Sequence, residues 1–296
     1  MSSSSTSKVW LITGTSSGFG RRLVAAARSR GDRVIATART IEKIQDLPPG
    51  PDLHILQLDV DSSTEVIKSR IDEAVKVWGT IDVLVNNAGK GLPGLLEEGG
   101  VERLTEQFQT NVFGVLNVTN AVVPYMRKAG SGTVVVFGSR SAWKPEIVVR
   151  FYGASKAAVH ALTESLSLEL SPYHIRVLLV EPGAFRTENI YGYKFHDDNP
   201  IPENDQLRAK GQVIFNSVAG TQPGDPNKAV KVIVDVVRGE GVAAGREWPL
   251  YLVLGNDAER DIRLKIGKML KHLDDWSDVV RGVDLEDCAP TPPSKM

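Results

Sequence analysis

The chain has 296 residues, 42% hydrophobic and 24% charged, with a formal net charge of −1. That is enough apolar sequence for one large α/β domain or two small ones, and a balanced charge without a basic stripe excludes nucleic acid as a partner. The single cysteine, Cys288 in a proline-rich tail, excludes a disulfide framework and paired metal-binding thiols; with no signal peptide or transmembrane segment in view, a cytoplasmic protein is expected.

Residues 1–7, Met-Ser-Ser-Ser-Ser-Thr-Ser, read as a disordered tail. Val9 to Thr13 reads as a short strand that ends in Gly14-Thr15-Ser16-Ser17-Gly18-Phe19-Gly20, and Arg21 to Arg30 carries helical periodicity. A glycine-rich turn between strand and helix lets backbone N–H groups and the positive helix end approach a pyrophosphate. Its Gly-x-x-x-Gly-x-Gly spacing differs from the Gly-x-Gly-x-x-Gly fingerprint. The second strand, Val34 to Ala38, is followed by Arg39 where an NAD site would place an acid for the ribose 2′-hydroxyl. Arg39, helped by Thr37, instead offers donors suited to a 2′-phosphate, so NADP is expected over NAD.

Asp52 to Val60 gives a third strand with Asp59 at its end, and Asp61-Ser62-Ser63 offers caps for a helix running to Trp78. Asp59 either faces a ligand or belongs to that turn. Ile81 to Val85 leads into Asn86-Asn87-Ala88-Gly89, whose amides are costly at a buried strand end unless satisfied. Residues 101–127 form a long helical pattern with Asn111 on a mostly apolar stretch, where its amide needs a partner.

Thr133 to Phe137 reads as a buried parallel strand, and Ser139 follows its end. In the next helix, Phe151 to Leu170, Tyr152 and Lys156 lie four residues apart on one face. A free tyrosine has a pKa of about 10, and a nearby ammonium favours the phenolate by typically about 1 to 3 units. The sixth strand, Ile175 to Val180, ends in Glu181-Pro182-Gly183 and runs on through Ala184-Phe185-Arg186-Thr187. From about Glu188 to Gln222 the periodicity breaks down, and Tyr191, Tyr193, Phe195 and Phe215 look exposed; residues 184–222 read as a substrate lid. Asp225-Pro226 opens a helix to Arg238, Pro249 to Leu254 gives a seventh strand, and 257–282 is an amphipathic helical pattern. Residues 256–296 thus form a helical extension and tail.

Strands alternating with helices imply parallel βαβ units, with ligands at the carboxyl ends of the strands. Together the motifs resemble the short-chain dehydrogenase/reductase family over residues 8–255. The resemblance implies an α/β, Rossmann-like, doubly wound, mainly parallel seven-stranded sheet flanked by helices in a single domain. It implies reversible hydride transfer between NADP(H) and a small-molecule carbonyl or secondary alcohol. Tyr152 is then the proton donor or acceptor, Ser139 a hydrogen-bond donor to the developing oxyanion, and Lys156 the group that tunes the phenol and holds the nicotinamide ribose. Asn111 then interrupts its helix and positions a water that links Lys156 to solvent. Cofactor binding falls to Gly14, Thr15, Ser16, Ser17, Gly18, Phe19 and Gly20, to Arg39 and Asp59, to Asn87, Ala88 and Gly89, to Tyr152 and Lys156, and to Pro182, Gly183 and Thr187. Trp143, Phe151 and the aromatics after Glu188 suggest a bulky apolar substrate. Family analogy implies a homodimer or homotetramer built through helices 101–127 and 151–170. The alternative is an NADP-sensing protein of the same fold without chemistry.

Overall fold

The computed structural model describes residues 7–188 and 192–283. The first strand, β1 (Val9–Ile12), is buried along its whole length. Such an unbroken apolar run is stable only where both sheet faces are covered, which is the setting of a parallel sheet between helical layers. Seven parallel strands follow the order β3-β2-β1-β4-β5-β6-β7, comprising β2 (Arg33–Ala38), β3 (Leu53–Gln57), β4 (Val83–Asn86), β5 (Gly132–Phe137), β6 (Ile175–Pro182) and β7 (Tyr251–Leu254). The order reverses between β1 and β4, which opens a crevice at the carboxyl end of the sheet.

Two apolar layers sandwich this sheet. On one face α2 (Thr64–Trp78), α4 (Gly114–Ala129) and α5 (Arg150–Leu170) bury Ile67, Ile71, Val118, Val122 and Val159. On the other, α1 (Gly18–Arg28) and α7 (Pro226–Arg238) bury Leu23, Val24, Val230, Ile233 and Val237. Local signals set several boundaries. Ser63 caps α2 by accepting from the Val66 amide, and Asp225 accepts from the amides of Asn227 and Lys228 ahead of Pro226.

The helix expected over 101–127 is two helices, α3 (Leu96–Phe108) and α4, joined by a π-helical turn at Gln109–Phe113. The segment expected to be irregular, 188–222, contains α6 (Asp205–Val218). Its helical signal is weak because only Gly211 and Phe215 are buried, and Gly211 interrupts the apolar face. Of the aromatics that looked exposed there, Phe195 and Phe215 are instead buried around Val148, Tyr193 is exposed, and Tyr191 lies outside the described residues. The extension is α8 (Asn256–Asp275) followed, after a break at Trp276, by the short α9 (Ser277–Arg281). Ser7 of the expected N-terminal tail donates to the Gly31 carbonyl, whereas residues 1–6 and the tail from 284 onward lie outside the described residues.

One buried ion pair ties the sheet to α7. The Arg238 guanidinium meets Asp32, which is fully buried and also accepts from the Trp10 indole and the Lys8 amide. Removing one partner leaves the other charge without full compensation. Arg238→Ala should therefore lower unfolding stability by about 3 kcal/mol in urea titrations, whereas a loss near zero would show that the indole and amide suffice for Asp32.

Candidate active site

α5 runs beneath the carboxyl end of β5 and carries Tyr152 and Lys156 on one face. Lys156 is buried, and its Nζ donates to the Phe137 carbonyl at 2.5 Å, at the end of β5. Burial pulls its pKa from 10.5 down to about 8. The same Nζ lies 5.6 Å from the centre of the Tyr152 ring. The ring packs over Gly91, where an added Cβ would stand 3.6 Å from it.

Ser139 follows β5 in extended backbone and is buried. Its Oγ accepts from the Ser141 amide at 3.1 Å, which leaves the hydroxyl proton free for a donor role. Asn111 sits in the π-helical turn, fully buried. It is held by three bonds: Oδ1 accepts from the Lys90 amide, and Nδ2 donates to the Lys90 carbonyl and to Ser155 Oγ. The wide turn is what swings this amide out of the α-helical register toward α5.

The glycine-rich turn lies across the crevice. Gly14 and Gly18 both have positive φ, 70° and 58°. A Cβ at Gly14 would stand 2.8 Å from the Ala88 backbone, and one at Gly20 would stand 2.4 Å from both Asn87 Nδ2 and the Gly14 carbonyl. Asn87 supports the turn: Nδ2 donates to the carbonyls of Thr13 and Gly14, while the amides of Asn87 and Ala88 donate to Thr13 Oγ1. Gly89 packs against Asn111, and Thr187 packs against Gly18, so the motif after β6 closes on the turn after β1. The Phe19 ring packs between Phe137, at a tilt, and Phe185, edge to face, which leaves only its backbone for a ligand.

Several expected contacts are corrected. Thr37 cannot help Arg39 reach a 2′-phosphate, because its side chain is fully buried and donates to the Ile12 carbonyl. Arg39 itself is exposed at the end of β2. Asp59 Oδ1 accepts from the Asp61 amide, which ties the residue to the turn before α2, the second of the two roles expected for it. Phe151 is completely buried against Gly94 and Gly99 and cannot line a substrate pocket. Trp143 is committed through its indole N–H to Glu181 Oε2 at 2.6 Å.

Side chains that carried no motif turn out to brace the site. Arg140, next to Ser139, forms ion pairs with Glu146, Asp257 and Asp261, and Asp257 Oδ2 also accepts from the Ala184 amide. The first turns of α8 therefore hold both the loop after β5 and the loop after β6. Glu188 accepts from the Gly18 amide and pairs with Arg22, which holds its carboxyl at about 2. His160, one turn beyond Lys156, accepts from the Ser139 amide at 3.2 Å. Burial and the Lys156 charge lower its pKa to about 4. Only the alternation of partners in space, not spacing in sequence, exposes these links.

A glycine-rich turn braced by Asn87 and a phenol beside a buried ammonium, both at the carboxyl end of the sheet, suit a nicotinamide dinucleotide. Among the described residues no group of His, Cys, Asp and Glu side chains could hold a metal ion, and no helix is long and apolar enough to cross a membrane. The short chain dehydrogenase family model matches residues 8–194. A crystal structure of a short-chain dehydrogenase from Streptomyces avermitilis superposes with a TM-score of 0.82 and 36% identity, covering 95% of this chain and all of that one. The uncharacterized oxidoreductase YusZ of Bacillus subtilis (strain 168) is 34% identical over 76% of this chain and 83% of its own length. A 3-ketodihydrosphingosine reductase of Bacteroides thetaiotaomicron is 39% identical over 61% of this chain and 65% of that protein.

Glu181, buried at the end of β6, has its pKa raised from 4.5 to about 7 by desolvation. The unfolded chain gives up this proton near 4.5 while the folded chain keeps it to about 7, so stability falls by about 3 kcal/mol as pH rises across that window. His160 acts oppositely: the unfolded ring protonates below 6.5 and the folded one below about 4, so stability rises with pH between those values. In Glu181→Gln only the second slope remains. Denaturant titrations should then show a mutant whose stability climbs from pH 4.5 to 6.5 relative to the wild type; parallel curves would place Glu181 outside this balance.

Proposed function

The chain belongs to the short-chain dehydrogenase family, and on that premise we propose that it is an NADP(H)-dependent oxidoreductase acting on a bulky, apolar carbonyl compound or secondary alcohol. The family supplies the coarser part, oxidoreductase chemistry with a nicotinamide cofactor. The observation that carries the reading is the buried Lys156 ammonium, 5.6 Å from the Tyr152 ring and bonded to the Phe137 carbonyl two residues before Ser139, with Asn111 bonded to Ser155 on the same helix.

The residues present fit the cofactor: Gly14, Gly18 and Gly20 leave no side chain in the way, and the backbone of residues 14–20 with Thr187 would hold the pyrophosphate. Asn87, Ala88 and Gly89 would line the adenosine side, and Pro182 and Gly183 the carboxamide. When bound, the nicotinamide supplies or accepts the hydride. Tyr152 gives a proton to the substrate oxygen in reduction and takes it back in oxidation. The Ser139 hydroxyl donates to that oxygen as charge develops on it. Lys156, whose own proton is loosened by burial, favours loss of the phenolic proton and would hold the cofactor ribose. Asn111, anchored at Lys90 and Ser155, would position a water through which the proton reaches solvent.

The NADP choice rests on Arg39, an exposed guanidinium where the strand end has no carboxylate. The substrate class is supported by the relative named as a 3-ketodihydrosphingosine reductase, whose name makes a keto compound its substrate. Residues 184–222, of which 189–191 lie outside the described residues, are proposed as the lid over the substrate. α6 is docked by Arg208 onto buried Glu98, and Phe195 and Phe215 close over Val148. A cytoplasmic homodimer or homotetramer built through α4 and α5 completes the reading. A cofactor sensor of this fold would gain nothing from a buried ammonium beside a phenol.

Assays of a panel of alkyl and aryl ketones, followed by nicotinamide absorbance with NADPH and NADH in parallel, test this directly. NADPH should be oxidised faster at limiting concentration. Arg39→Ala should cut kcat/KM for NADPH about 10- to 100-fold while leaving NADH nearly unchanged, the scale of a lost charge-assisted hydrogen bond. A wild type that prefers NADH would reverse the cofactor assignment, and binding without turnover on every ketone would favour the sensor.

A further inference from the structure

Behind Ser139 lies a buried polar cluster that the four-residue mechanism does not use. His160, two turns along α5 from Tyr152, points its Nε2 at the Ser139 amide, 3.2 Å away. Because that amide is a donor, Nε2 must be the lone-pair nitrogen, and the ring proton sits on Nδ1. Nδ1 faces Glu181 Oε1 at 4.0 Å. Glu181 is 1% exposed; its Oε2 is taken by the Trp143 indole, while Oε1 has no hydrogen-bond partner among the described residues. The space is already full. A Cβ at Gly138 would stand 2.3 Å from His160 Nε2, so glycine there is what admits the imidazole.

We propose that His160 and Glu181 are positioning residues for the reaction: together with Trp143 they fix the Ser139 amide, and through it the orientation of the Ser139 hydroxyl toward the substrate oxygen. The inference rests on the reading of Ser139 as the donor to that oxygen. The cluster joins three elements that must keep register during turnover. Ser139 ends β5, His160 belongs to the helix of Tyr152 and Lys156, and Glu181 immediately precedes Pro182 and Gly183. A shift of any one would move the hydroxyl relative to the phenol, and misplacement of about 1 Å in such a site costs on the order of 100-fold in rate.

The charge state of the cluster follows from its surroundings. His160 faces Lys156 from its own helix and Glu181 from β6. Glu181 faces Trp143 from the loop after β5, His160 and Glu164 from α5, and Tyr251 from β7, whose hydroxyl donates to Glu164. Burial keeps the imidazole neutral well below neutral pH, so Nε2 stays an acceptor in the working range. Burial also delays ionisation of Glu181 until about pH 7. Once ionised, its Oε1 draws the Nδ1 proton, which makes Nε2 a stronger acceptor for the Ser139 amide. Turnover should therefore rise through neutral pH by way of Glu181.

The test uses the full chain with NADPH and any ketone from the panel that the wild type reduces, together with cofactor affinity from nicotinamide fluorescence. His160→Leu should lower kcat at least tenfold with cofactor affinity held within about twofold. His160→Gln, whose amide oxygen reaches the Nε2 position, should restore most of the loss. Glu181→Gln keeps the acceptor for Trp143 and should remove the inflection near pH 7 from the kcat profile while keeping any higher one. Equal impairment in His160→Leu and His160→Gln, with an unchanged profile in Glu181→Gln, would mark the cluster as structural and overturn the inference. Wild-type turnover separates the two readings. If the wild type reduces no ketone, both fail; if it does and all three variants match it, only the positioning role fails.

Discussion

An ammonium group held out of water at the end of β5 is the constraint on which the rest of the site depends. Burial of Lys156 lowers its pKa from 10.5 to about 8, so keeping it charged at neutral pH opposes folding. The Phe137 carbonyl offsets only part of this, so the position is stable only because the sheet and α5 are rigid around it. Phe137 is itself the last residue of a strand paired to β4 and β6, with its ring stacked on Phe19 of the glycine-rich turn. The same residue thus anchors the ammonium and packs against the floor of the crevice.

From that anchor the site is built by cross-links between strand ends. Thr13 and Asn87 lock the turn after β1 to the loop after β4. Asn111 ties the loop after β4 to Ser155 of α5. Arg140, Asp257 and Asp261 connect the loop after β5, the loop after β6 and the start of α8. Every link spans elements far apart in sequence, and each satisfies a polar group that would be costly to bury alone. The C-terminal helix therefore belongs to the support of the site through its first two turns, while the rest of its length is exposed.

How much of this could be read from the residues depends on the range of the interaction. The seven strands were legible because each is a short apolar run bounded by Gly, Pro, Asn or Asp, and the glycine-rich turn because a strand precedes it and a helix follows. Tyr152 and Lys156 share a face by helical spacing alone. The helix interruption at Asn111 was legible only through the family resemblance, since nothing in Thr110-Asn111-Val112-Phe113 by itself distinguishes a wide π-helical turn from an ordinary one. α6 was hidden by its scarcity of buried positions. Thr37 and Phe151 were assigned outward roles because sequence gives the strand or helix but not which neighbour fills its surroundings; both are fully buried. His160, Glu181 and Asp257 carry no local pattern at all, and their roles exist only through contacts across 21, 38 and 73 residues.

The central claim is that the Tyr152 phenol, beside a buried amine, moves the proton that accompanies hydride transfer. The most direct measurement is rapid-mixing kinetics of NADPH oxidation by Tyr152→Phe at saturating ketone, with cofactor binding followed in the same protein by nicotinamide fluorescence. The account predicts binding close to that of the wild type and a rate lower by about 10²- to 10⁴-fold, the range for loss of a general acid. A Tyr152→Phe protein that oxidises NADPH at nearly the wild-type rate would contradict it.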